Sequence, residues 1–453
     1  MLITKDKSFY KNLVALAVPI SLQNMVTFSV GFADNLMIGS LGDTAISGVY
    51  MGNQLQTVFQ MFIMGIEGAL LILAAQYWGK RDTNSIKKIL AIAIKLALAF
   101  GIVFTTLALL FPSQIINLFT NDTAVIQSGT VYLSTVAFSY IFFAISQIFI
   151  GSMRSVETAK IGLYISFMTL AVDVGLNYLL IFGVDGLIPA LGIQGAAIAT
   201  LIARICEAVA IVYYVKFKDK KLKIKFKELV PTDTLMIKDF VKYGLPVLGG
   251  QIVWGCNTIA NSMILGRFNA EVIAATSMTG MLHSLVYVWM TGLSSAVGII
   301  TGKTVGAGKI DKIKEYSKTV QIMFVCVGIL SGLLVWSLHI PFIGLYDVSD
   351  EAAAYALQFM AIISITIVGT CYQAPCLAGL VKAGGDISFV FKNDSIFVFL
   401  VVIPSALVAC YLSAPVWVVF ACLKCDQILK CFVAVVKINK YNWIKNLTRE
   451  NNT

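Results

Sequence analysis

The chain has 453 residues, of which 58% are hydrophobic and only 13% are charged, and its net charge is +10. Soluble domains are typically about 45–50% apolar and about 25% charged. The composition therefore excludes a water-soluble globular protein, and the positive charge is assigned to membrane topology and anionic lipid head groups rather than to nucleic-acid binding.

Apolar segments of roughly twenty residues or more recur along the chain, each long enough to cross about 30 Å of hydrocarbon as a helix. The twelve predicted helices lie near residues 12–41, 47–79, 88–112, 124–152, 159–183, 190–215, 238–267, 273–305, 316–341, 351–380, 387–411 and 413–436. The alternating polarity of a membrane barrel is absent. The sequence therefore predicts an all-α integral membrane protein.

Lysines and arginines are concentrated before helix 1 and after the even-numbered helices, for example Lys80 and Arg81 after helix 2 and Lys303 after helix 8. Arg267 is the exception on the other side. Because positive residues favour the cytoplasmic side, we expect both termini to be cytoplasmic. The first apolar run lacks a small-residue cleavage site and is interpreted as a retained helix in a bacterial inner membrane.

A lysine-rich polar stretch divides six predicted helices from six. We predict an N-terminal lobe over residues 1–215, a cytoplasmic linker over 216–237 and a C-terminal lobe with a short tail over 238–453. The GxxxxGK[ST] loop of nucleotide-binding proteins does not occur in the sequence, which argues against a P-loop ATPase in this chain.

The two halves repeat each other at one offset. Shifting the first half by 227 residues places Pro19 on Pro246 and Gly79 on Gly306, and it also aligns Gly65 with Gly292. Two repeats of six helices have the same orientation and are related by an axis along the membrane normal. The pattern predicts two pseudo-symmetric six-helix bundles with a central cleft, in which rocking of the bundles gives alternating access.

Ionisable groups at membrane depth cost about 2.5–3.5 kcal/mol at the centre on insertion scales, so each suggests a function. The first half has five of them, at Asp34, Glu67, Asp173, Arg204 and Glu207. The second half has Asn261 and Ser294 at the positions that match Asp34 and Glu67, and no acid in the middle of helices 7 to 11. The charged chemistry is therefore predicted in the N-terminal lobe.

Counting about 1.5 Å of rise per residue from the helix ends places Asp34, Asp173 and Thr200 at one level, with Asn177 one turn beyond Asp173 on the same face. Carboxylate, amide and hydroxyl oxygens are ligands for a small cation. Two carboxyl groups in a dry site also repel, which favours a proton on one of them. The alternative is that these groups are structural polar residues between helices.

Arg204 and Glu207 are spaced i,i+3 and are interpreted as an internal ion pair. Glu67 has two open interpretations, as a second proton site or as an acid that snorkels to the membrane surface. Candidates for a substrate cleft lie on helices 7 and 8, which mirror helices 1 and 2, and they are Gln251, Trp254, His283, Tyr287 and Trp289. The alternative for each is an ordinary packed side chain.

Several segments, in this order and spacing, resemble the multidrug and toxic compound extrusion (MATE) family. They are FADNLMIGSLG (Phe32–Gly42), AAQYWGKRD (Ala74–Asp82), GSMRSVETAK (Gly151–Lys160), the LNYLLIFG and GIQGAAIAT stretch (Leu176–Thr200), YGLPV (Tyr243–Val247) and LVKAGGD (Leu380–Asp386). The resemblance covers essentially the whole chain.

The resemblance implies efflux of cationic or amphiphilic compounds in exchange for sodium or protons. The family's helix 1 aspartate matches Asp34, and its helix 5 pair matches Asp173 and Asn177 with acid and amide exchanged. Its helix 6 threonine matches Thr200 and its helix 4 tyrosine matches Tyr132.

Acids that other members carry in the C-terminal lobe fall on Trp254 and near Cys371. The resemblance therefore implies coupling in the N-terminal lobe alone, and it leaves sodium and proton coupling equally open.

Two alternatives to drug export are a flippase or specific-metabolite exporter and a membrane enzyme. A flippase for lipid-linked sugars often needs several basic residues in the cleft to hold a diphosphate, whereas Arg204 is the only candidate in the middle of the first lobe. A membrane enzyme needs clustered catalytic or metal-binding groups, but the two histidines, His283 and His339, are far apart in sequence. We therefore expect a monomeric non-enzyme that binds organic cations and membrane lipids, with no cofactor and no metal beyond a coupling sodium ion.

Overall fold

The computed structural model describes residues 3–184, 189–230, 233–344, 346 and 348–449. Within these ranges the regular elements are helices, and extended pairing is limited to isolated bridge residues such as Gly385 and Ile444. The all-α prediction is confirmed. The last residues of the predicted tail and part of the predicted linker, at 231–232, lie outside the described residues.

The helices follow the predicted order. In the first half they are α1 (Lys7–Gly39), α2 (Asp43–Gly79), α3 (Thr83–Leu110), α4 (Thr123–Val136 and Ser139–Ser155), α5 (Lys160–Phe182) and α6 (Gly192–Phe217), with a short helix, Pro112–Asn117, before α4. In the second half they are α7 (Thr234–Leu265), α8 (Ala270–Gly306), α9 (Ile310–Ile343), α10 (Asp350–Lys382), α11 (Ile387–Tyr411) and α12 (Val416–Lys424 and Asp426–Asn439).

Nine of the described helices are long and apolar enough to cross a membrane, and ten are if the two pieces of α4, which bend by 51°, count as one span. α7 and α12 are outside this set for different reasons. The amides Gln251, Asn257 and Asn261 interrupt the apolar sequence of α7 and lower its hydropathy. α12 is divided into two short pieces at Cys425.

Three helices of the second half depart from regular α-helical geometry. α10 becomes π-helical over Cys376–Lys382, and α11 does so over Phe397–Val402. π-helical turns are rare in proteins, but those that occur are often found at functional sites. The π-helical turn of α11 begins three residues after Asp394, and the break in α12 comes directly before Asp426.

The chain forms two compact units. The first unit contains Leu22–Ala74 and Asp82–Leu248, and the second contains Met1–Ser21, Ala75–Arg81 and Gly249–Thr453. The sequence boundaries at 1–215, 216–237 and 238–453 stay a prediction, because compactness does not test where the repeat begins and ends.

The repeat is visible in how glycines pack inside each unit. In the first unit, a Cβ added at Gly65 would lie 2.7 Å from Leu248 Cδ1. In the second unit, a Cβ added at Gly292 would overlap Ser21. The shift of 227 residues relates Gly65 to Gly292 and also Ser21 to Leu248. Equivalent glycines therefore allow equivalent close approaches between helices.

Candidate cation site

One amide joins two carboxylates of the first unit, that of the half-buried Asp34 and that of the buried Asp173. Asp173 and Asn177 lie one turn apart on the same face of α5, and both are buried. Asn177 Nδ2 donates to Asp34 Oδ1 on α1 at 2.7 Å and to Asp173 Oδ2 at 3.3 Å. The structure thus brings together the acids of helices 1 and 5 that depth counting placed at one level.

Asp34 and Asn177 border a cavity of about 80 Å³, whereas Asp173 is not part of its lining. Its lining includes the predicted side chains Asp34, Tyr132, Asn177 and Thr200, together with Asn53 of α2. A water molecule occupies about 30 Å³ in the liquid, whereas drug-sized ligands need clefts of about 300 Å³ or more. The cavity has room for one small cation with its water ligands and not for an organic substrate.

Two acceptors of this cavity are arranged for a cation. Asn177 Oδ1 is buried and has no hydrogen-bond partner among the described residues. Tyr132 Oη donates its proton to Asn53 Oδ1 at 3.2 Å, so the phenol oxygen keeps its lone pairs for another partner. With the Asp34 carboxylate, these atoms supply the oxygen donors that hard cations prefer.

The charges around the cavity are not balanced. Arg204 of α6 acts electrostatically on Asp34 and Asp173. Its guanidinium, however, is engaged with Glu207, the predicted i,i+3 partner, at 2.7 Å between Nη1 and Oε2. It also lies over the Phe143 ring, at 5.0 Å from the centroid. Three carboxylates and one guanidinium leave two negative charges uncompensated, which favours binding of a cation or a proton.

Glu67 forms an ion pair with Arg154. Its Oε1 accepts from Arg154 Nη1 at 3.0 Å, and Arg154 Nη2 donates to Gln23 Oε1 at 2.8 Å. The glutamate side chain is only 15% exposed, and both interpretations of it, as a second proton site and as a snorkelling acid, stay predictions. Glu67 also packs closely against Gly151, where an added Cβ would lie 2.6 Å from Glu67 Cγ.

The candidates for a substrate cleft lie in the second unit. His283 and Tyr287 stack on α8 with ring centroids 5.5 Å apart. Trp254 and Trp289 are exposed, and Gln251 is partly buried. Of the five candidates, the structure brings His283 and Tyr287 together. The assignment to a substrate cleft stays a prediction for all five.

Sequence reasoning missed an ionic cluster in the second unit. Lys430 Nζ on α12 lies 3.0 Å from Asp394 Oδ1 on α11 and 3.2 Å from Asp426 Oδ2. The search for acids in the middle of helices 7 to 11 overlooked Asp394 because it lies near the start of its helix. The i,i+4 spacing of Asp426 and Lys430 was a signal for half of the cluster.

Comparison with known families gives a match in both halves. The MatE family model matches residues 19–179 and 246–411. The two matched segments begin at Pro19 and Pro246, which are the prolines that the 227-residue offset aligns.

Curated relatives and solved structures agree with this match. The chain is 27% identical over 299 residues to "Probable multidrug resistance protein NorM" of Streptococcus pneumoniae, and the match spans 66% of each chain. It is 24% identical over 400 residues to the protein of the same name from Halalkalibacterium halodurans, spanning 87% of this chain and 86% of that one.

Among solved structures, a mutant of the Vibrio cholerae MATE transporter VcmN has a TM-score of 0.88 at 16% identity, with 97% of this chain and 98% of that chain covered. A transporter of the MOP superfamily from Pyrococcus furiosus, described as having a binding pocket of reverse polarity, has a TM-score of 0.85 at 15% identity, with 99% and 100% covered.

Proposed function

The chain belongs to the MatE, or multidrug and toxic compound extrusion, family of membrane transporters, and on that premise we propose that it is a secondary antiporter. It exports cationic or amphiphilic organic compounds in exchange for sodium ions or protons. The observation that carries this proposal is the pair of carboxylates on α1 and α5, Asp34 and Asp173, that share the Asn177 amide. The coupling ion binds there, in the first unit.

Charge imbalance drives the coupling step. Without an ion, Asp34 and Asp173 repel each other, and the Asn177 amide donates to both of them. A sodium ion takes the carboxylate oxygens, Asn177 Oδ1 and the hydroxyls of Thr200 and Tyr132 as ligands. A proton instead neutralises one carboxyl group. Either event changes the electrostatic and hydrogen-bonding interactions between α1 and α5.

α1 is suited to respond to that change. Pro19 lies inside α1 and lacks a backbone N–H, so the helix has one hydrogen bond fewer at that point. When the coupling ion occupies the site, the segment of α1 that carries Asp34 repacks and the substrate is released to the outside. The reverse movement reloads the transporter with substrate from the inside.

The remaining parts of the proposal concern location and assembly. The lysine and arginine bias of the connections supports an inner-membrane location with both termini cytoplasmic. The bacterial relatives named for multidrug resistance support export of more than one compound. A monomer contains both halves of the repeat and suffices for transport.

A flippase or single-metabolite exporter is less well supported. Binding a lipid diphosphate requires free cations, whereas Arg204 is engaged by Glu207 and packs on Phe143. The cavity beside it is lined by carboxylate and amide groups rather than by bases. We therefore favour a cationic substrate.

The test is ethidium efflux from proteoliposomes under an inward sodium gradient or an inward proton gradient at zero membrane potential. We expect the wild-type protein to export the dye under at least one gradient. Asp34→Asn and Asp173→Asn should each reduce the gradient-driven rate at least about tenfold, the factor that corresponds to about 1.4 kcal/mol.

Asp311→Asn is the matched control, because Asp311 is an exposed acid at the start of α9 and its substitution removes the same charge. Wild-type rates in an Asp34→Asn, Asp173→Asn double variant would refute coupling at this site. Absence of dye export by correctly inserted wild-type protein under both gradients would refute the multidrug assignment itself.

A further inference from the structure

The loop that follows α10 in the second unit has the same backbone hydrogen bond as the loop that follows α4 in the first. Thr158 N donates to the Met153 carbonyl at 2.9 Å, and Asp386 N donates to the Val381 carbonyl at 3.1 Å. Both residues of the second bond lie 228 positions after their counterparts in the first. The two loops are therefore equivalent, at an offset one residue longer than that of helices 1 and 2.

At this offset Lys382 is the counterpart of Arg154, and each is a cation at the C-terminal end of its helix. Arg154 is compensated, because its guanidinium donates to Glu67 Oε1 at 3.0 Å and to Gln23 Oε1 at 2.8 Å. Lys382 is only partly exposed, and its ammonium group has no hydrogen bond or ion pair within the part of the chain that the structure describes. A charge that is withdrawn from water without a partner is costly.

The acceptors are missing because smaller residues stand at their positions. The 227-residue offset places Ser294 on Glu67 and Gly250 on Gln23. Both replacements are partly buried, and a Cβ added at Gly250 would meet nothing within 4 Å. The second unit therefore lacks the carboxylate and the amide of the first, and it has space where the amide side chain would be.

The helix contact beside this space is the same in the two units. A Cβ added at Gly151 would lie 2.6 Å from Glu67 Cγ, and a Cβ added at Gly379 would lie 2.8 Å from the Ser294 carbonyl oxygen. Gly379 lies 228 positions after Gly151. Equivalent helices thus approach each other at equivalent places, and the units differ in the side chain that compensates the cation.

The acids of the second unit do not supply the missing partner. Asp394 acts electrostatically on Lys382, but Asp394 and Asp426 are bound by Lys430 Nζ, at 3.0 and 3.2 Å. Lys424, which acts on Asp426, adds another ammonium group. Three ammonium groups and two carboxylates leave one positive charge in excess, and an anion neutralises it.

We propose that Lys382 and Ser294 bind an oxyanion in the second unit, and that this oxyanion is the carboxylate of an exported compound. The ammonium group supplies the charge and three N–H donors, and the serine hydroxyl supplies one O–H donor. Gly250 leaves space for the bound group. The inference rests on the proposed export function and extends its substrates to zwitterions, which carry a carboxylate beside their positive charge.

The test compares two dyes that differ in one carboxylate, rhodamine B and its ethyl ester. Rhodamine B is a zwitterion, whereas the ester keeps only the positive charge. Fluorescence polarisation measures the binding of each dye to the purified full-length protein in detergent without phospholipid. We expect Lys382→Gln to weaken the binding of rhodamine B at least about tenfold, as the loss of a hydrogen bond to a charged group does, and to leave the binding of the ester unchanged.

Ser294→Glu should give the same result by a different route. It restores the glutamate that compensates Arg154 in the first unit, so Lys382 is occupied from within the chain, and rhodamine B again binds at least about tenfold more weakly. Lys392→Gln is the matched control, because Lys392 is an exposed lysine of α11 and its substitution removes the same charge. It should change the binding of neither dye.

Three results of the dye measurement would overturn the proposal and leave export of organic cations intact. The first is unchanged binding of rhodamine B in both variants, and the second is equal weakening of the two dyes. The third is displacement of rhodamine B, but not of the ester, by added phosphatidylglycerol, which would identify the oxyanion as a lipid phosphate. Binding of neither dye by the wild type would contradict the multidrug assignment, and stability measurements then decide the oxyanion site.

Thermal unfolding in detergent tests the site without any dye. Ser294→Glu should raise the unfolding temperature of the wild type, because it gives Lys382 a partner, and should lower it in the Lys382→Gln background, where the new carboxylate is unpaired. Sodium benzoate, compared with sodium chloride at the same concentration, should stabilise the wild type and not Lys382→Gln. Equal effects of Ser294→Glu and of benzoate in the two backgrounds would contradict the proposal.

Discussion

The contacts of Arg154 illustrate how single residues are held in this protein. The guanidinium lies between Glu67 of α2 and Gln23 of α1, at 3.0 and 2.8 Å. Arg154 and Glu67 are 14% and 15% exposed, so each compensates a charge that water does not reach well. Removing one partner of such a pair is far more costly than removing both, because it leaves the other charge buried and unpaired.

A double-mutant cycle tests this at the residue scale. Glu67→Gln and Arg154→Gln should each lower the free energy of unfolding by about 3–5 kcal/mol. The double variant should lose clearly less than the sum, because neither charge then remains unpaired. Denaturant unfolding of the purified protein in mixed micelles measures all four corners of the cycle.

The control is the pair of Lys88 and Asp233, which has the same 3.0 Å separation but is 40% and 32% exposed. Exposed pairs contribute about 0–1 kcal/mol, so the cycle on this pair should show little coupling. Equal coupling in the two pairs would mean that burial does not decide the strength of the Glu67 interaction.

The contacts of Asp34 could be predicted from the sequence, whereas those of Glu67 could not. Asp173 and Asn177 are one turn apart, and depth along helices 1 and 5 was enough to bring Asp34 to them. Glu67 and Arg154 are on helices whose rotation about their own axes was unknown. In lipid, both the packed face and the outer face of a helix are apolar, so no amphipathic period reveals that rotation.

At the scale of elements, a close contact between α2 and α8 in the second unit depends on two glycines. A Cβ added at Gly306 of α8 would overlap the carbonyl oxygen of Gln76, and a Cβ added at Gly79 of α2 would overlap that of Lys303. The 227-residue offset relates Gly79 to Gly306 and Gln76 to Lys303. The contact is therefore reciprocal, and the backbone carbonyls leave no room for a methyl group on either side.

We expect Gly306→Ala to lower the free energy of unfolding by about 1–3 kcal/mol or more, because overpacking against backbone is relieved only by moving a helix. Gly280→Ala is the matched control on the same helix, since a Cβ at Gly280 meets nothing within 4 Å. Alanine there should be neutral or stabilising by up to about 1 kcal/mol. Thermal unfolding in lipid nanodiscs compares them, and equal shifts would contradict the packing argument.

Helix existence and order were predictable because the polar breaks are short and charged, but local irregularities were not. The bend of α4 between Val136 and Ser139 contains no proline or glycine. The π-helical turn of α11 likewise falls in an uninterrupted apolar run, Phe397–Val402. Such distortions are set by packing against neighbouring helices, and a single sequence does not encode those contacts in a readable pattern.

At the scale of the whole molecule, the C-terminal tail joins the end of α2 to the helices of the second unit. Trp443 is completely buried, and Leu447 N donates to Gln76 Oε1 of α2 at 2.7 Å. Lys445 N donates to the Gly384 carbonyl at 2.7 Å. The composition of the tail gave no sign of this role, because its polar and charged residues are typical of a solvated terminus.

Asp386 anchors the tail electrostatically and sets its pH dependence. Its carboxylate accepts from Lys437 and Lys445 at 2.6 and 2.8 Å. Burial alone would raise the pKa of Asp386, but the hydrogen bonds from the two ammonium groups outweigh it and hold the pKa below the ordinary 3.8. The stabilisation is therefore complete above that pH and is lost only as the pH falls through the lowered value.

We accordingly expect the amide hydrogen-exchange protection of residues 443–449 to be constant between about pH 5 and 8, since Asp386 is ionised throughout that range. Asp386→Asn should raise the exchange of Lys445 and Leu447 by about tenfold, because a hydrogen bond to a charged group contributes about 1.5–3 kcal/mol. Asp311→Asn, an exposed acid of α9, should change neither. Protection that falls between pH 8 and pH 5 in the wild type, or that is unaffected by Asp386→Asn, would mean that the tail is held by Trp443 and the backbone contacts alone.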